Sequence, residues 1–292
     1  MRTKEYLSKA RSNKNDEFYT RYIDIENEIQ HYKDFLENKI IYCNCDDFYI
    51  SNFFKYFYDN FQDLKLKKLI TTSYNKEGKG NYSEFDGETL KTGNLTSNGS
   101  FDSEESLQYL KQADVIITNP PFSLFRKYIQ LLFDNNKKFL IIGNVNAAGY
   151  KEIFPYIINN QLWFGHRFNG TYYYHIPPEL EIVQVGGSAW YTNIETNKNL
   201  ILNTTAEFEI DKYKKFDNYD AININSLKDF PKNYHKEIGT PITALKYMND
   251  DGTITTSENL KYKVTRLKKG IDGKDLRIDG KTKYVRIILT PI

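Results

Sequence analysis

Cysteine is scarce in this chain, since Cys43 and Cys45 are the only two among its 292 residues. No histidine lies beside them and there is no second pair, so no metal site is expected. Reduced thiols in a cytoplasmic protein fit this usage best.

Long apolar stretches are missing as well. No apolar run reaches the roughly 18 residues that a membrane span needs, so no membrane partner is expected. Residues 1–20 also lack the apolar centre of a signal peptide. Together these absences predict a cytoplasmic protein.

A large net charge is absent too, because the chain carries only +2 overall. The charge is unevenly distributed, however. Residues 261–292 hold ten Lys and Arg against three Asp, which gives +7 there and about −5 elsewhere. Such a segment indicates an anionic partner. It is also typical of a solvated β-hairpin edge protected by lysines, and both interpretations stay open.

What the chain does contain is an alternation of short apolar runs with amphipathic stretches. Strands are expected at 39–45, 66–74, 114–118 and 137–143, and helices at 22–38, 51–61, 104–113 and 123–133. Ser51 is a candidate helix cap, and the polar residues 75–102 form a loop or a polar hairpin. The series predicts an α/β fold, with a mostly parallel twisted sheet covered by helices on both faces.

Residues beyond about 160 have a different character, with short aromatic strands, glycines and prolines. We expect two regions, 1–160 and 161–292. The second would hold the remainder of the sheet and a β-rich part that ends in the basic segment.

The most informative stretch is "ADVIITNPPFSLFRKYI", residues 113–129. Asn119 offers an amide oxygen, Pro120 offers a carbonyl without a competing N–H, and Phe122 offers a flat apolar face. Two acceptors beside an aromatic ring suit an exocyclic amino group on a planar base. Holding both amino hydrogens would steer the nitrogen lone pair toward an electrophile, so catalysis would be positioning and electrostatics. The alternative is a loop that proline merely stiffens.

The segment "TNPPF" (118–122) resembles the catalytic motif of amino-methyltransferases that use S-adenosylmethionine. Further segments resemble, in order, those of EcoRI-type adenine-specific DNA methyltransferases. They are "NDEFYT" (15–20), "CNCDDFYISNFFKYF" (43–57), "QADVIITNPPFSLFRKY" (112–128) and "FLIIGNVNAAGYKEIFP" (139–155). The likeness spans most of residues 13–250.

The resemblance implies a class I methyltransferase (Rossmann-like) fold and methyl transfer from S-adenosylmethionine to N6 of an adenine flipped out of duplex DNA. It implies catalytic roles for Asn119, Pro120, Pro121 and Phe122. It also implies a cofactor site formed by Asp16, Phe18, Tyr19, Thr20, Cys43, Asp46, Asp47, Ser51, Asn52, Phe53, Phe101, Asp102 and Asn119. Residues 1–160 would be the cofactor-binding and catalytic core, and 161–292 would include the DNA target-recognition region.

The chain departs from the family pattern after the second strand. An acid usually holds the cofactor ribose there, and this chain has none before Glu77. Asp102 could replace it, which leaves the ribose contact unassigned. Cys43-Asn44-Cys45 also stands where family members often have glycine or proline.

Two further groups have both a functional and a structural interpretation. Tyr172, Tyr173 and Tyr174 could present aromatic rings to a flipped base or could pack in a core. Asn144 and Asn146 could touch base or phosphate, or could be satisfied loop amides.

Duplex DNA is the expected partner, with a restriction endonuclease acting separately as a second candidate. The same chemistry on RNA or on a protein glutamine is one alternative. A non-catalytic DNA-binding relic of the fold is another, although drift would not be expected to spare Asn119, Pro120 and Phe122 together.

Overall fold

The computed structural model describes residues 19–176, 181–283 and 285–292, with side chains for all of these except Tyr19, residues 169–185 and Ile210. The described residues divide into two compact units. The first contains the residues up to Val145 together with Gly165–Ile194. The second contains Asn146–Phe164 and Glu195–Ile292.

The helices of the described chain lie mainly in the first unit. They are α1 (Tyr22–Ile29), α2 (Lys33–Leu36), α3 (Asn52–Asp59), α4 (Glu104–Gln112), α5 (Phe125–Asp134) and α6 (Phe154–Ile158). Short 3₁₀ segments cover Gln30–Tyr32, Phe122–Leu124, Val145–Gly149, Ile210–Lys212, Leu227–Asp229 and Ile242–Tyr247. The predicted helices are confirmed, except that 22–38 is divided by the first of these 3₁₀ turns.

Nine strands form the sheet that includes the predicted apolar runs. They are β1 (Tyr19–Thr20), β2 (Ile40–Cys43), β3 (Lys68–Thr72), β4 (Asn81–Phe85), β5 (Leu90–Asn94), β6 (Val115–Thr118), β7 (Lys138–Asn144), β8 (Trp163–Ile176) and β9 (Glu181–Thr192). Their order is β1-β8-β9-β7-β6-β2-β3-β4-β5. The four predicted strands are β2, β3, β6 and β7, and they are its parallel centre.

Helices cover both faces of this centre, as expected. On one face, Ile41, Val115 and Leu140 join a buried cluster with residues of α1–α3 such as Ile25 and Phe57. On the other face, α4 contacts β2 and α5 contacts β7. The short apolar strands are buried on both sides, which explains why they read as continuous apolar runs rather than as alternating ones.

The expectation of a mostly parallel sheet is wrong, because the sheet is mixed. The polar residues 75–102 form the hairpin β4–β5, which extends β3 antiparallel. At the other side, β9 pairs antiparallel with β7, and β1 pairs antiparallel with β8. A hairpin needs only a short turn, whereas another parallel strand would need a long crossover connection.

The remaining strands are β10 (Ile201–Leu202), β11 (Lys215–Phe216), β12 (Tyr219–Asn223), β13 (Ile238–Pro241), β14 (Thr253–Thr256), β15 (Lys261–Leu267), β16 (Arg277–Ile278), β17 (Lys281–Thr282) and β18 (Arg286–Pro291). Seven form a sheet in the order β10-β14-β15-β18-β13-β12-β11, and β16 and β17 form a separate hairpin. The β-rich character predicted for this region is confirmed.

The basic segment is not the edge of this sheet, so that interpretation is wrong for its two long strands. β15 and β18 pair with each other, and each has a further neighbour on its other side. Ile287, Ile288 and Leu289 of β18 are fully buried. These apolar residues, rather than the lysines around them, determine where the strand lies.

Each of the two units contains two separate ranges of the chain, so no single boundary such as residue 160 divides them. Gly165–Ile194 belongs with the first unit because β8 and β9 complete its sheet. In the part of the chain that the structure describes, no helix has the length and apolar character needed to cross a membrane.

Candidate active site

The Asn-Pro-Pro-Phe loop leaves the carboxyl end of β6, between the ends of β2 and β7. Pro120 is buried, and no N–H or O–H of the described residues donates to its carbonyl. The carbonyl of Pro121 instead accepts the N–H of Leu124 at 3.0 Å and starts the turn into α5. The loop therefore retains one buried proline carbonyl that could accept a ligand hydrogen.

The side chains of Asn119 and Phe122 are both half-buried. Phe122 packs against the buried cluster that also includes residues of α1–α3. Its ring is thus held by the core while part of it stays accessible, as a stacking surface requires.

Asp46 joins the carboxyl ends of three strands. It lies three residues after the end of β2, and its N–H donates to the Thr72 carbonyl of β3 at 3.0 Å. Its carboxylate accepts the hydroxyl of Ser51 at 2.6 Å and the hydroxyl of Thr118, the last residue of β6, at 2.5 Å. One side chain therefore connects the segment after β2 with the end of β6, from which the Asn-Pro-Pro-Phe loop leaves.

This carboxylate is almost completely buried, at 5% exposure. Burial raises its pKa to about 6, although the hydrogen bonds from Ser51 and Thr118 oppose the shift. Among the described residues no cationic side chain forms an ion pair with Asp46. A buried anion without a cation is costly, and a ligand with a positive charge would compensate it. The ammonium and sulfonium groups of S-adenosylmethionine carry positive charge and fit a site with this buried carboxylate.

Asp47 lies over the end of β3. One of its carboxylate oxygens accepts the Asn81 side-chain amide of β4 at 2.9 Å, and the other accepts the N–H of Tyr49 at 2.9 Å. Glu77, the first acid after β3 in the sequence, is exposed. The carboxylate near the end of β3 is therefore supplied by the loop after β2, which the order of residues along the chain does not suggest.

Ser51 caps α3 as predicted, since its hydroxyl accepts the N–H of Phe53 at 3.0 Å. Asn52 donates its side-chain amide to the Thr20 carbonyl at 2.8 Å, which brings β1 beside the start of this helix. The buried Thr20 hydroxyl has no hydrogen-bond partner among the described residues. A buried hydroxyl in this position could donate to or accept from a ligand.

Five of the predicted cofactor residues either lie in the buried core or are not fully described by the structure. Phe53 and Cys43 lie within the buried cluster, and burial raises the pKa of the Cys43 thiol. Asp16 and Phe18 lie outside the described residues, as does the side chain of Tyr19.

Phe101 and Asp102 both contact α5. The ring of Phe101 is buried and meets Tyr128 edge to face, with centroids 5.0 Å apart. Asp102 forms an ion pair with Lys127 and accepts the hydroxyl of Ser100 at 2.5 Å, and these contacts lower its pKa. Its carboxylate is thus already engaged by the helix that follows the catalytic loop.

The segment that carries Phe101 is held against the end of β3 by a close backbone approach. Gly99 has a φ of +74°, and a Cβ there would lie 2.0 Å from the Ser73 carbonyl oxygen. Only glycine fits such a position, so the loop can run directly beside the strand end.

Sequence reasoning missed two polar residues at this site, Asn44 and Thr118. Asn44 is buried and accepts the hydroxyl of Tyr128, which ties the end of β2 to α5, while its amide nitrogen has no partner among the described residues. Both residues stand inside or directly beside the recognised motifs, and that position was the only available signal.

The remaining candidates are more peripheral in what the structure describes. Asn144 ends β7 with a half-buried side chain, and Asn146 is exposed. Tyr172, Tyr173 and Tyr174 belong to β8, but their side chains lie outside the described residues, so their role stays a prediction.

Comparison with known proteins agrees with this geometry. The sequence matches the family described as "Adenine-specific methyltransferase EcoRI" over residues 6–291. The chain belongs to this family.

Three methyltransferases are similar to the chain over almost its whole length. The chain is 40% identical to the type II methyltransferase M.EcoRI of Escherichia coli, over 98% of this chain and 96% of that protein. It is 36% identical to the type II methyltransferase M.MgeORF184P of Mycoplasma genitalium, over 97% and 98%. It is 34% identical to the type II methyltransferase M.MpnI of Mycoplasma pneumoniae, over 97% of each chain. No solved structure matches the chain.

Proposed function

We propose that this protein transfers a methyl group from S-adenosylmethionine to N6 of an adenine at a specific sequence in duplex DNA. The observation that carries the proposal is the Asn-Pro-Pro-Phe loop at the end of β6, tied to the buried Asp46 carboxylate. Family membership supports an adenine-specific methyltransferase. Because N6 cannot be reached within the base stack, the adenine would be flipped out.

Asn119, Pro120 and Phe122 would carry the chemistry. The Asn119 amide oxygen and the Pro120 carbonyl accept the two N6 hydrogens, and Phe122 stacks on the base. Two acceptors pull the lone pair of the nitrogen out of conjugation and aim it at the methyl donor. S-adenosylmethionine, when bound, supplies an electrophilic methyl group on its sulfonium. Pro121 fixes the turn so that these groups hold their positions without reorganisation.

The cofactor would lie along the carboxyl ends of β2, β3 and β6. Asp46 would compensate its positive charge, and the Thr20 hydroxyl would add a polar contact. Asp47, over the end of β3, is the carboxylate we assign to the ribose hydroxyls. The buried Phe101 would border the adenine ring. The central strand order with helices on both faces supports a class I methyltransferase core with antiparallel additions.

The second unit would carry target recognition. Its basic segment would contact DNA phosphates, which position a protein on the duplex but do not read its sequence. The type II names of the relatives support a role in restriction–modification, with a separate endonuclease as partner and the cytoplasm as location.

The test is transfer of labelled methyl to unmethylated duplex DNA, followed by identification of the modified base. We expect N6-methyladenine from the wild type and at least a ~100-fold loss in Asn119→Ala, with cofactor affinity largely retained. Asn135→Ala is the matched control, because within the described chain Asn135 bonds only to the Leu131 carbonyl at the end of α5. Transfer to RNA or protein but not to DNA would contradict the proposal.

A further inference from the structure

The hydroxyl of Thr118 has no part in the proposed chemistry, yet it bonds Asp46, which we assign to the cofactor, and Thr118 directly precedes the catalytic loop. We propose that Thr118 is a positioning residue, which uses its bond to Asp46 to hold Asn119 and Pro120 in their working positions. The inference rests on the proposed function, since it concerns the same site.

The geometry makes this link unusual among the bonds of the sheet. Thr118 is the last residue of β6, is fully buried, and directly precedes Asn119. Its hydroxyl donates to one oxygen of Asp46 at 2.5 Å, while Ser51 donates to the other at 2.6 Å. Because Ser51 also caps α3, a single carboxylate fixes the loop after β2, the start of α3 and the residue that directly precedes the catalytic loop.

The chemistry of the bond explains how it could fix a loop. An ionised carboxylate can only accept, so the Thr118 hydroxyl must point at Asp46 as long as Asp46 is charged. Charge-assisted bonds of this kind are short and stronger than neutral ones. When Asp46 is protonated it can donate instead, and the hydroxyl is free to choose another rotamer. The position of the loop thus depends on the charge of the group that faces the cofactor.

The surroundings of Asp46 make that charge sensitive to its two hydroxyl donors. The titratable groups that interact with it are Asp47, the Cys43 thiol and the Tyr128 hydroxyl, and all three are neutral or negative. Burial raises the pKa of Asp46, and the bonds from Ser51 and Thr118 lower it. Removal of the Thr118 donor should therefore raise the pH at which Asp46 loses its proton.

The experiment compares Thr118→Val, Thr118→Ser and Thr71→Val in the full-length protein. Thr71 is the matched control, because it is equally buried in β3 and its hydroxyl bonds that of Ser83 at 2.7 Å, away from Asp46. Turnover is measured at saturating DNA and cofactor. Cofactor affinity is measured separately, by calorimetry with S-adenosylhomocysteine and S-adenosylmethionine, between pH 5 and pH 8.5.

We expect kcat of Thr118→Val to fall by about 10–100-fold, because a small misplacement of reacting groups has an effect of that size. Its cofactor affinity at pH 8.5 should stay close to that of the wild type. Affinity for S-adenosylmethionine should fall as the pH is lowered and Asp46 becomes protonated. In Thr118→Val this fall should begin at a pH about one unit higher than in the wild type. Thr118→Ser should restore both properties, and Thr71→Val should change neither.

Normal turnover in Thr118→Val, or an unchanged pH dependence of its cofactor affinity, would overturn the inference. The same losses in Thr71→Val would show a general effect of removing a buried hydroxyl and would also overturn it. If the wild type itself transfers no methyl group to DNA, the proposed function fails instead, and the calorimetric pH dependence still tests the bond between Thr118 and Asp46.

Discussion

At the scale of single residues, Asp46 has opposite consequences for stability and for binding. Its folded-state pKa of about 6 lies above the ordinary value of an aspartate. The stability that this shift contributes is fully present below about pH 4 and is lost as the pH rises through 6. Above pH 6 the ligand-free protein therefore holds an uncompensated buried charge.

Asp46→Asn should consequently stabilise the ligand-free protein while it weakens cofactor binding. A raised pKa of about two units corresponds to roughly 2–3 kcal/mol of unfolding free energy at pH 8, and the gain should be smaller at pH 5. Affinity for S-adenosylmethionine should fall at least about tenfold at pH 8. Urea unfolding at the two pH values and calorimetry check this. A less stable Asp46→Asn protein at pH 8 would contradict it.

Asp102 is a residue whose neighbours could not be read from the sequence. It stands in a family-like position beside Phe101, and its carboxylate was a candidate for the ribose. In the fold it faces Lys127 of α5, which lies 25 residues away along the chain. The charge of Asp102 is thereby compensated by a cation. In the described residues the Asp47 carboxylate instead accepts hydrogen bonds from neutral amide N–H groups.

At the scale of elements, Ser51 caps α3 and also donates to Asp46. Comparison with a second capped helix can separate these two roles. Ser103 caps α4 in the same way, by accepting the N–H of Ser106 at 3.3 Å, but it does not contact Asp46. Both helices would lose a similar cap on mutation to alanine.

Ser51→Ala and Ser103→Ala should each lower the unfolding free energy by about 1 kcal/mol. Only Ser51→Ala should also weaken cofactor affinity, because it removes a donor to the charged form of Asp46. Chemical denaturation and cofactor calorimetry measure the two effects. Equal loss of affinity in both variants would indicate that Ser51 acts through the helix alone.

The contact between α5 and β7 depends on a residue without a side chain. A Cβ on Gly143 would lie 2.3 Å from the ring of Phe125, the first residue of α5. For Gly186 of the neighbouring β9, no atom of the described residues lies within 4 Å of where a Cβ would be, so Gly186 is a matched control.

Gly143→Ala should destabilise the protein by about 1–3 kcal/mol through overpacking. Gly186→Ala should stay within about 0.5 kcal/mol of the wild type. Thermal unfolding of both variants provides the comparison. A neutral Gly143→Ala would mean that α5 can move away from β7 without cost and would contradict the expected overpacking.

At the scale of the whole molecule, the chain has almost no net charge but carries a basic segment in its second unit. Lys263, Lys274 and Lys281 are exposed and form no ion pair with the described residues. Lys212, Lys215 and Lys232 of the same unit are each paired with an acid. Equal numbers of charges in the two sets allow a direct comparison.

Changing the three unpaired lysines to glutamine should weaken DNA binding and reduce the salt slope. If all three contact phosphates, the slope of log K against log salt should become shallower by about 2–3 units. Changing the three paired lysines should have a much smaller effect, because their charge is already compensated. Binding titrations between about 50 and 200 mM salt decide between the two sets of lysines. Equal effects would indicate that the basic segment has a structural role only.

The sequence by itself determined much about this protein. Apolar runs of strand length alternating with amphipathic helices established the α/β class, because burial on both faces needs that pattern. Ser51 was identifiable as a cap, and the Asn-Pro-Pro-Phe loop was identifiable as a candidate catalytic loop because its residues are adjacent in the chain. Several family-like segments in the same order indicated the family, which the comparisons confirm. All of these features are local, or are ordered along the chain.

Only the tertiary structure decided which strands pair and which side chains meet. It made β4–β5 and β9 antiparallel additions, placed β18 inside its sheet, and brought Asp46 to Thr118 across 72 residues. It also placed the Asp47 carboxylate beside Asn81 of β4, near the end of β3, where the sequence had left the acid unassigned. Such contacts depend on strand order and on loop paths between distant residues, and hydrophobic periodicity contains neither.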